Sequence, residues 1–162
     1  MNAQRDIVVD VQFACDDPDS PDAEIISGWV RAAVAEAGVD VTGDIEVSVR
    51  VVDLDEIRSL NREYRDKDNA TNVLSFPAGK IDGLPAEAVQ TLGDVVVCAA
   101  VVRDEAASQA KEIADHWAHM MVHGTLHLLG YDHMTDAEAM EMESLETRIL
   151  ATQGVADPYR SP

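Results

Sequence analysis

The chain has 162 residues, 46% of them apolar, which is enough for one domain with a real core and excludes wholesale disorder. Twelve basic residues against 31 acidic ones give a net charge of −19, a field that repels polyanions and excludes a general nucleic-acid coat. No apolar run approaches the ~18 residues that cross a bilayer, and the amino terminus shows no export pattern, so one soluble, cytoplasmic domain over residues 1–162 is expected.

Ile7, Val9, Val11 and Phe13 alternate with polar positions and predict a half-buried strand. Ser20 followed by Pro21 suits a helix start, and the helix through Ile25, Trp29, Ala33 and Ala37 is expected to stop at Gly38. Ile45 to Val51 alternates again as a second strand. Asp53, with Glu56 three residues on, opens a helix carrying Leu54, Ile57, Leu60 and Tyr64. A polar loop leads to the short strand Val73–Phe76, ended by Pro77. The glycine-rich stretch 78–93 reads as a long loop, with a buried strand from Asp94 to Cys98. A run of 31 residues without internal proline is unusual for one helix, so a break is expected near 108–111 and a second helix over about 112–129. Thr135 and Glu138 form a capping box for a last helix through Met142, Leu145 and Ile149, and the tail after Gly154 is expected to fray. Cys15 and Cys98 lie far apart and predict two free thiols. The sum is an α+β domain, a mixed sheet of about four strands packed with helices.

Charge is uneven along the chain. Residues 57–80 hold five basic side chains against three acidic ones, a net +2, while the other 138 residues carry −21. Any contact with an anion falls in this segment, although the same pattern suits a solvated helix edge.

All five histidines lie between 116 and 133. His116, His119, His123 and His127 form one helical stripe, a pattern that core-edge packing also produces. His123 and His127, four apart, can reach one ion from a single helix face, and Gly130 allows the turn that returns His133 as a third ligand. Three neutral nitrogens with an open fourth position describe a catalytic zinc site, one Zn2+ per chain. The spacing is also that of metzincin peptidases, but Gly124 stands where their glutamate base would be.

Residues 116–133, HWAHMMVHGTLHLLGYDH, resemble the signature of the YbeY family of bacterial rRNA-maturation endoribonucleases. Residues 60–68, LNREYRDKD, followed by Thr71 to Pro77, TNVLSFP, match a second block of that family, and residues 92–98, LGDVVVC, match a third. The similarity covers roughly residues 45–150, with Ala70 where the family usually has proline. The resemblance implies a zinc-dependent, single-strand-specific endoribonuclease acting in rRNA maturation and ribosome quality control. It places the zinc ligands on His123, His127 and His133 and the arginine implicated in activity on Arg65. A guanidinium fork suits a charged phosphoryl group better than an ammonium does, so Arg65 is the expected phosphate clamp. Lys67, Asn72 and Ser75 are weaker candidates for lining the groove, and Tyr64, Phe76 and Tyr131 for stacking on bases. Asp132 and His119 could orient ligands. The acidity implies delivery to an rRNA precursor by a small-subunit or assembly-factor protein, with no membrane involved. Two other readings remain open: a metzincin-like hydrolase acting on peptides, and a non-catalytic assembly factor with structural zinc.

Overall fold

Alternating β-branched residues build the sheet where their pattern predicts it. In the computed structural model, which describes residues 6–38, 44–78 and 89–159, strands β1 (Ile7–Phe13), β2 (Ile45–Val52), β3 (Val73–Pro77) and β4 (Gln90–Cys98) form one sheet in the order β1-β2-β4-β3. β1, β2 and β4 run parallel and β3 is antiparallel to β4, so the sheet is mixed and β3 is an edge. The helices are α1 (Ala23–Ala37), α2 (Leu54–Arg65), α3 (Ala99–Ser108), α4 (Ile113–Leu128) and α5 (Asp136–Thr152). The architecture is the expected α+β one.

Two boundaries differ from expectation for local reasons. α1 begins after Asp22, not at Ser20, because the Asp22 carboxylate accepts the Ile25 amide at 2.9 Å and so serves as the cap. β4 begins at Gln90, four residues before Asp94. Its register against β2 shifts between Glu46 and Val47, where Leu92 is the extra residue of a bulge beside Gly93. Gly93 has φ +134, and a Cβ there would overlap the Phe76 carbonyl oxygen, so this glycine marks a close strand approach rather than a loop. Residues 79–88 of the expected loop lie outside the described residues. The break between α3 and α4 falls over 109–112, as expected.

The two faces of the sheet are covered unequally. Val47, Val49, Val51, Val95 and Val97 pack under α1, α3, α4 and α5 in the larger core, with Trp117, Met121 and Leu126 of α4 at its centre. Among the described residues, the other face is covered by a smaller cluster, in which Ile57 of α2 packs against Val52, Leu74, Val96 and Cys98, with Ala100 and Val101 of α3 at its edge. α4 is therefore gripped between the sheet and its helical neighbours, which fixes the rotation of its histidine stripe. Both cysteines are free. Fraying does not describe the whole tail. Lys111 Nζ donates to the Pro158 carbonyl at 3.1 Å, and the Tyr159 side chain reaches α5.

Candidate metal centre

The histidine stripe of α4 divides into two halves with different partners. His116 and His119 are buried and engaged by glutamates: His116 Nε2 lies 3.0 Å from Glu105 Oε1, and His119 Nε2 lies 2.7 Å from Glu146 Oε2. His123 and His127 stand nearer the surface, with ring centroids 4.5 Å apart and their Nε2 atoms 3.1 Å apart.

α4 ends as its glycine predicts. Gly130 has φ +102, and the Tyr131 amide returns to the Leu126 carbonyl at 3.0 Å, so the chain doubles back past the last helical turn. The Asp132 carboxylate then accepts the His133 amide at 2.8 Å. This places the His133 ring 5.9 Å from that of His123 and 5.1 Å from that of His127. One donor atom from each of His123, His127 and His133 lies within 4.8 Å of the other two. Three imidazoles converging at a partly open surface fit a divalent ion of the zinc type, with room for a further ligand.

Glu146 is the neighbour of the histidine cluster that spacing alone does not reveal. It is fully buried on α5, where Oε1 faces His123 Nδ1 at 2.8 Å while Oε2 accepts the Tyr159 hydroxyl at 2.5 Å and faces His119. Burial pushes its carboxyl up, but hydrogen bonds from His119, His123 and Tyr159, with the charge of His123, outweigh burial and hold it down at about 2. The Tyr159 phenol is pushed well above its usual range by burial and by the carboxylate it serves. One signal was available in the sequence: Glu146 falls on the apolar stripe of α5 between Met142, Leu145 and Ile149, where an unpaired acid would be costly. His119, His123 and Glu146 also lie close enough to hold an ion. Their 2.7 and 2.8 Å contacts read as direct imidazole–carboxylate hydrogen bonds. Of the two residues considered as ligand orienters, His119 reaches the centre through Glu146, and Asp132 acts on the backbone of His133.

Gly124, beside His123, bears on the peptidase alternative. A Cβ at this position would stand 2.9 Å from both Val73 Cγ2 and Val95 Cγ1. α4 is seated directly on β3 and β4 here, so the place of a metzincin's glutamate is filled by the sheet. The Ser75 hydroxyl completes the seam by donating to the Gly124 carbonyl at 2.7 Å.

Arg65 reaches the same strand residue from outside the sheet. It ends α2 just before Asp66, whose φ of +57 turns the chain. Its Nη2 donates to the Ser75 carbonyl at 2.8 Å, and its guanidinium lies 5.1 Å from the centre of the Phe76 ring. Ser75 thus joins Arg65 on one side to the backbone beside His123 on the other. Arg58 pairs with Asp68 at 2.9 Å and Arg62 approaches the same carboxylate at 4.0 Å. Among the described residues, Arg65 and Lys67 form no ion pair, and both are exposed. Asn72 is turned inward: its amide donates to Glu105 at 3.1 Å and its carbonyl oxygen accepts the Val73 amide at 2.7 Å. Tyr64 is 56% exposed and meets Phe76 edge-on at 5.4 Å, leaving aromatic surface accessible, whereas Tyr131 packs against the larger core.

The model of the family described as Endoribonuclease YbeY matches residues 13–154. The chain is 54% identical to the Endoribonuclease YbeY of Alcanivorax borkumensis, over 98% of its own length and 90% of that protein. It is 57% identical to the Endoribonuclease YbeY of Halorhodospira halophila, over 87% of its length and 89% of that protein. In fold it is similar to the solution structure of TM1509 from Thermotoga maritima, with a TM-score of 0.54 at 21% identity, covering 94% of this chain and 99% of that one. The histidine segment and the Arg65 segment both lie inside the matched span, and the chain belongs to the Endoribonuclease YbeY family.

Proposed function

We propose that this chain is a zinc-dependent endoribonuclease that cuts single-stranded RNA during rRNA maturation and ribosome quality control in the cytoplasm. The observation that carries the reading is the convergence of His123, His127 and His133 beside a strand whose outer edge holds Arg65. Family membership supports RNA as the substrate. No described helix is long and apolar enough to cross a membrane.

His123, His127 and His133 would hold the ion. Bound there, zinc supplies Lewis acidity, which polarises a phosphoryl oxygen and makes water acidic enough to react near neutral pH. The chain's own part is electrostatic and positional. The Arg65 guanidinium binds a non-bridging phosphate oxygen through its remaining N–H groups and neutralises charge that grows in the transition state. Phe76 beneath it limits its freedom. Lys67 adds a second, looser cation. Asn72 and Ser75 keep β3 in place against α3 and α4, between the cation and the ligands.

A charge of −19 leaves this small basic edge in an acidic field. The isolated protein is accordingly expected to bind bare RNA weakly and in a salt-sensitive way, with a small-subunit or assembly-factor protein raising the effective concentration. The deciding experiment is cleavage of single-stranded and duplex RNA by metal-loaded, chelator-treated and zinc-restored protein. Loss on chelation and recovery with zinc, for single strands only, is expected. Equal cleavage by the stripped protein would refute the reading.

A further inference from the structure

We infer that Glu146 is the positioning residue of the metal centre: its carboxylate holds His123 by Nδ1, so that Nε2 is the atom His123 presents to the ion, and Tyr159 steadies the carboxylate from the chain's tail. The inference rests on the metal-centre reading above but concerns residues outside the ligand trio.

The hydrogen bonds dictate the direction. A buried carboxylate only accepts, and Glu146 has three candidate donors around it: His123 Nδ1 at 2.8 Å on Oε1, His119 Nε2 at 2.7 Å and the Tyr159 hydroxyl at 2.5 Å on Oε2. A neutral His123 that donates from Nδ1 carries its lone pair on Nε2. That nitrogen is the one lying 3.1 Å from His127 Nε2. Two imidazoles on one tetrahedral zinc, each at about 2.0–2.1 Å, place their nitrogens about 3.3–3.4 Å apart, so the pair stands close to its ligating separation.

Of the trio's two helix histidines, His123 is the one whose ring is held from behind by a carboxylate. The described hydrogen bond of the His127 ring is its 3.1 Å contact with His123 itself. His133 differs: its ring takes part in none of the described hydrogen bonds, and the Asp132 contact orders only its backbone.

A merely structural Glu146 would be a poor choice. A buried ionised group stabilises little beyond what a well-packed apolar residue achieves, and the other buried positions of α5, Met142, Leu145, Ile149 and Leu150, hold such residues. Carboxylates behind metal-binding imidazoles fix ring orientation and raise ligand basicity, and losing one weakens metal binding by about 10–100-fold.

The test uses the full chain and two readouts other than cleavage: zinc affinity by chelator competition, and the His123 tautomer from ring-nitrogen NMR shifts of the metal-free protein. Wild type should show Nδ1–H on His123. Glu146→Ala should bind zinc about 10–100-fold more weakly. Glu146→Gln keeps an acceptor for Nδ1–H and should fall between Ala and wild type, and Tyr159→Phe should show a smaller loss with its fold intact by circular dichroism. If Glu146→Ala does not fold, the Gln and Phe variants decide. Wild-type affinity in folded Glu146→Gln and Tyr159→Phe, or an Nε2–H tautomer in wild type, would overturn the positioning role while leaving the metal centre standing. Wild-type protein that takes up no zinc would overturn both.

Discussion

The centre on α4 and the junction of α2 with β3 meet at Ser75, yet they are built in opposite ways. His116 and His119 of α4 and Glu146 of α5 are buried, every imidazole of the stripe has a partner, and Trp117 and Met121 lock the helix against the sheet. At the α2–β3 junction, Arg65 is exposed and held by the carbonyls of Tyr64 and Ser75 and by one aromatic ring. A metal site needs ligands fixed before the ion arrives, because a displacement of a few tenths of an ångström spoils coordination. A phosphate clamp needs charge and reach, and burying a guanidinium without its anion would be costly. On the proposed reading, rigidity sits where the ion would be held, and freedom where the substrate would come and go.

Substitutions should separate the two regions most clearly by metal content. His123→Ala or His127→Ala removes one of the three proposed ligands, and the purified variant should lose zinc on dialysis and all measurable RNA cleavage; elemental analysis beside a cleavage assay checks both. Arg65→Ala should remain folded and retain zinc while cleavage falls by about 100–1,000-fold, the usual cost of removing one preorganised charge donor. Arg65→Lys should restore only part, because an ammonium lacks the planar fork. If Arg65→Ala lost zinc, the division between the two regions would fail.

Legibility in the sequence followed the same division. The convergence of three imidazoles can be read from the spacing of His123, His127, Gly130 and His133 because a helix and its terminating turn are local, and local geometry is encoded in consecutive residues. The strands and capped helices were legible for the same reason, down to Asp53 and Thr135 at their caps. What escaped depends on contacts distant in sequence. Glu146 meets His123 across 23 residues and Tyr159 across 13, and no periodicity announces either. Gly93 looked like loop punctuation because only its apposition to Phe76 shows it to be a strand bulge. Ser20 lost the cap of α1 to Asp22, two positions on and equally able to accept an amide.

Gly124→Ala sharpens the contrast at smaller scale. On an open helix, alanine in place of glycine would stabilise by about 1 kcal/mol. Here the added methyl presses on Val73 and Val95, both β-branched and hemmed in by the sheet, and overpacking of this kind costs about 1–3 kcal/mol. A lower urea midpoint with unchanged slope is the expected result. A stabilised variant would mean that α4 can lift off the sheet, and then its grip on the ligands could not be tight.

The smallest effect expected is a dependence of metal-free stability on pH, and its direction assigns it to α4. Burial holds the imidazoles of His116 and His127 below their ordinary value of 6.5, with Glu105 only partly offsetting this at His116 and the neighbouring histidines reinforcing it at His127. Below pH 6.5 the unfolded chain therefore binds protons that the folded chain resists, so stability is fully present above 6.5 and declines as pH falls toward the folded-state values. Glu146, depressed to about 2 from 4.5, contributes above 4.5 and is lost only in stronger acid. Asp68, held below 3.8 by Arg58, also lies outside the window. Denaturation with chelator at pH 7.5 and 5.5 should thus show a modest loss at the lower pH. That loss should shrink when His116 is replaced by glutamine and stay the same in Arg65→Ala. An equal response in Arg65→Ala and His116→Gln would place the proton-sensitive groups elsewhere and remove burial of the histidine stripe as the cause.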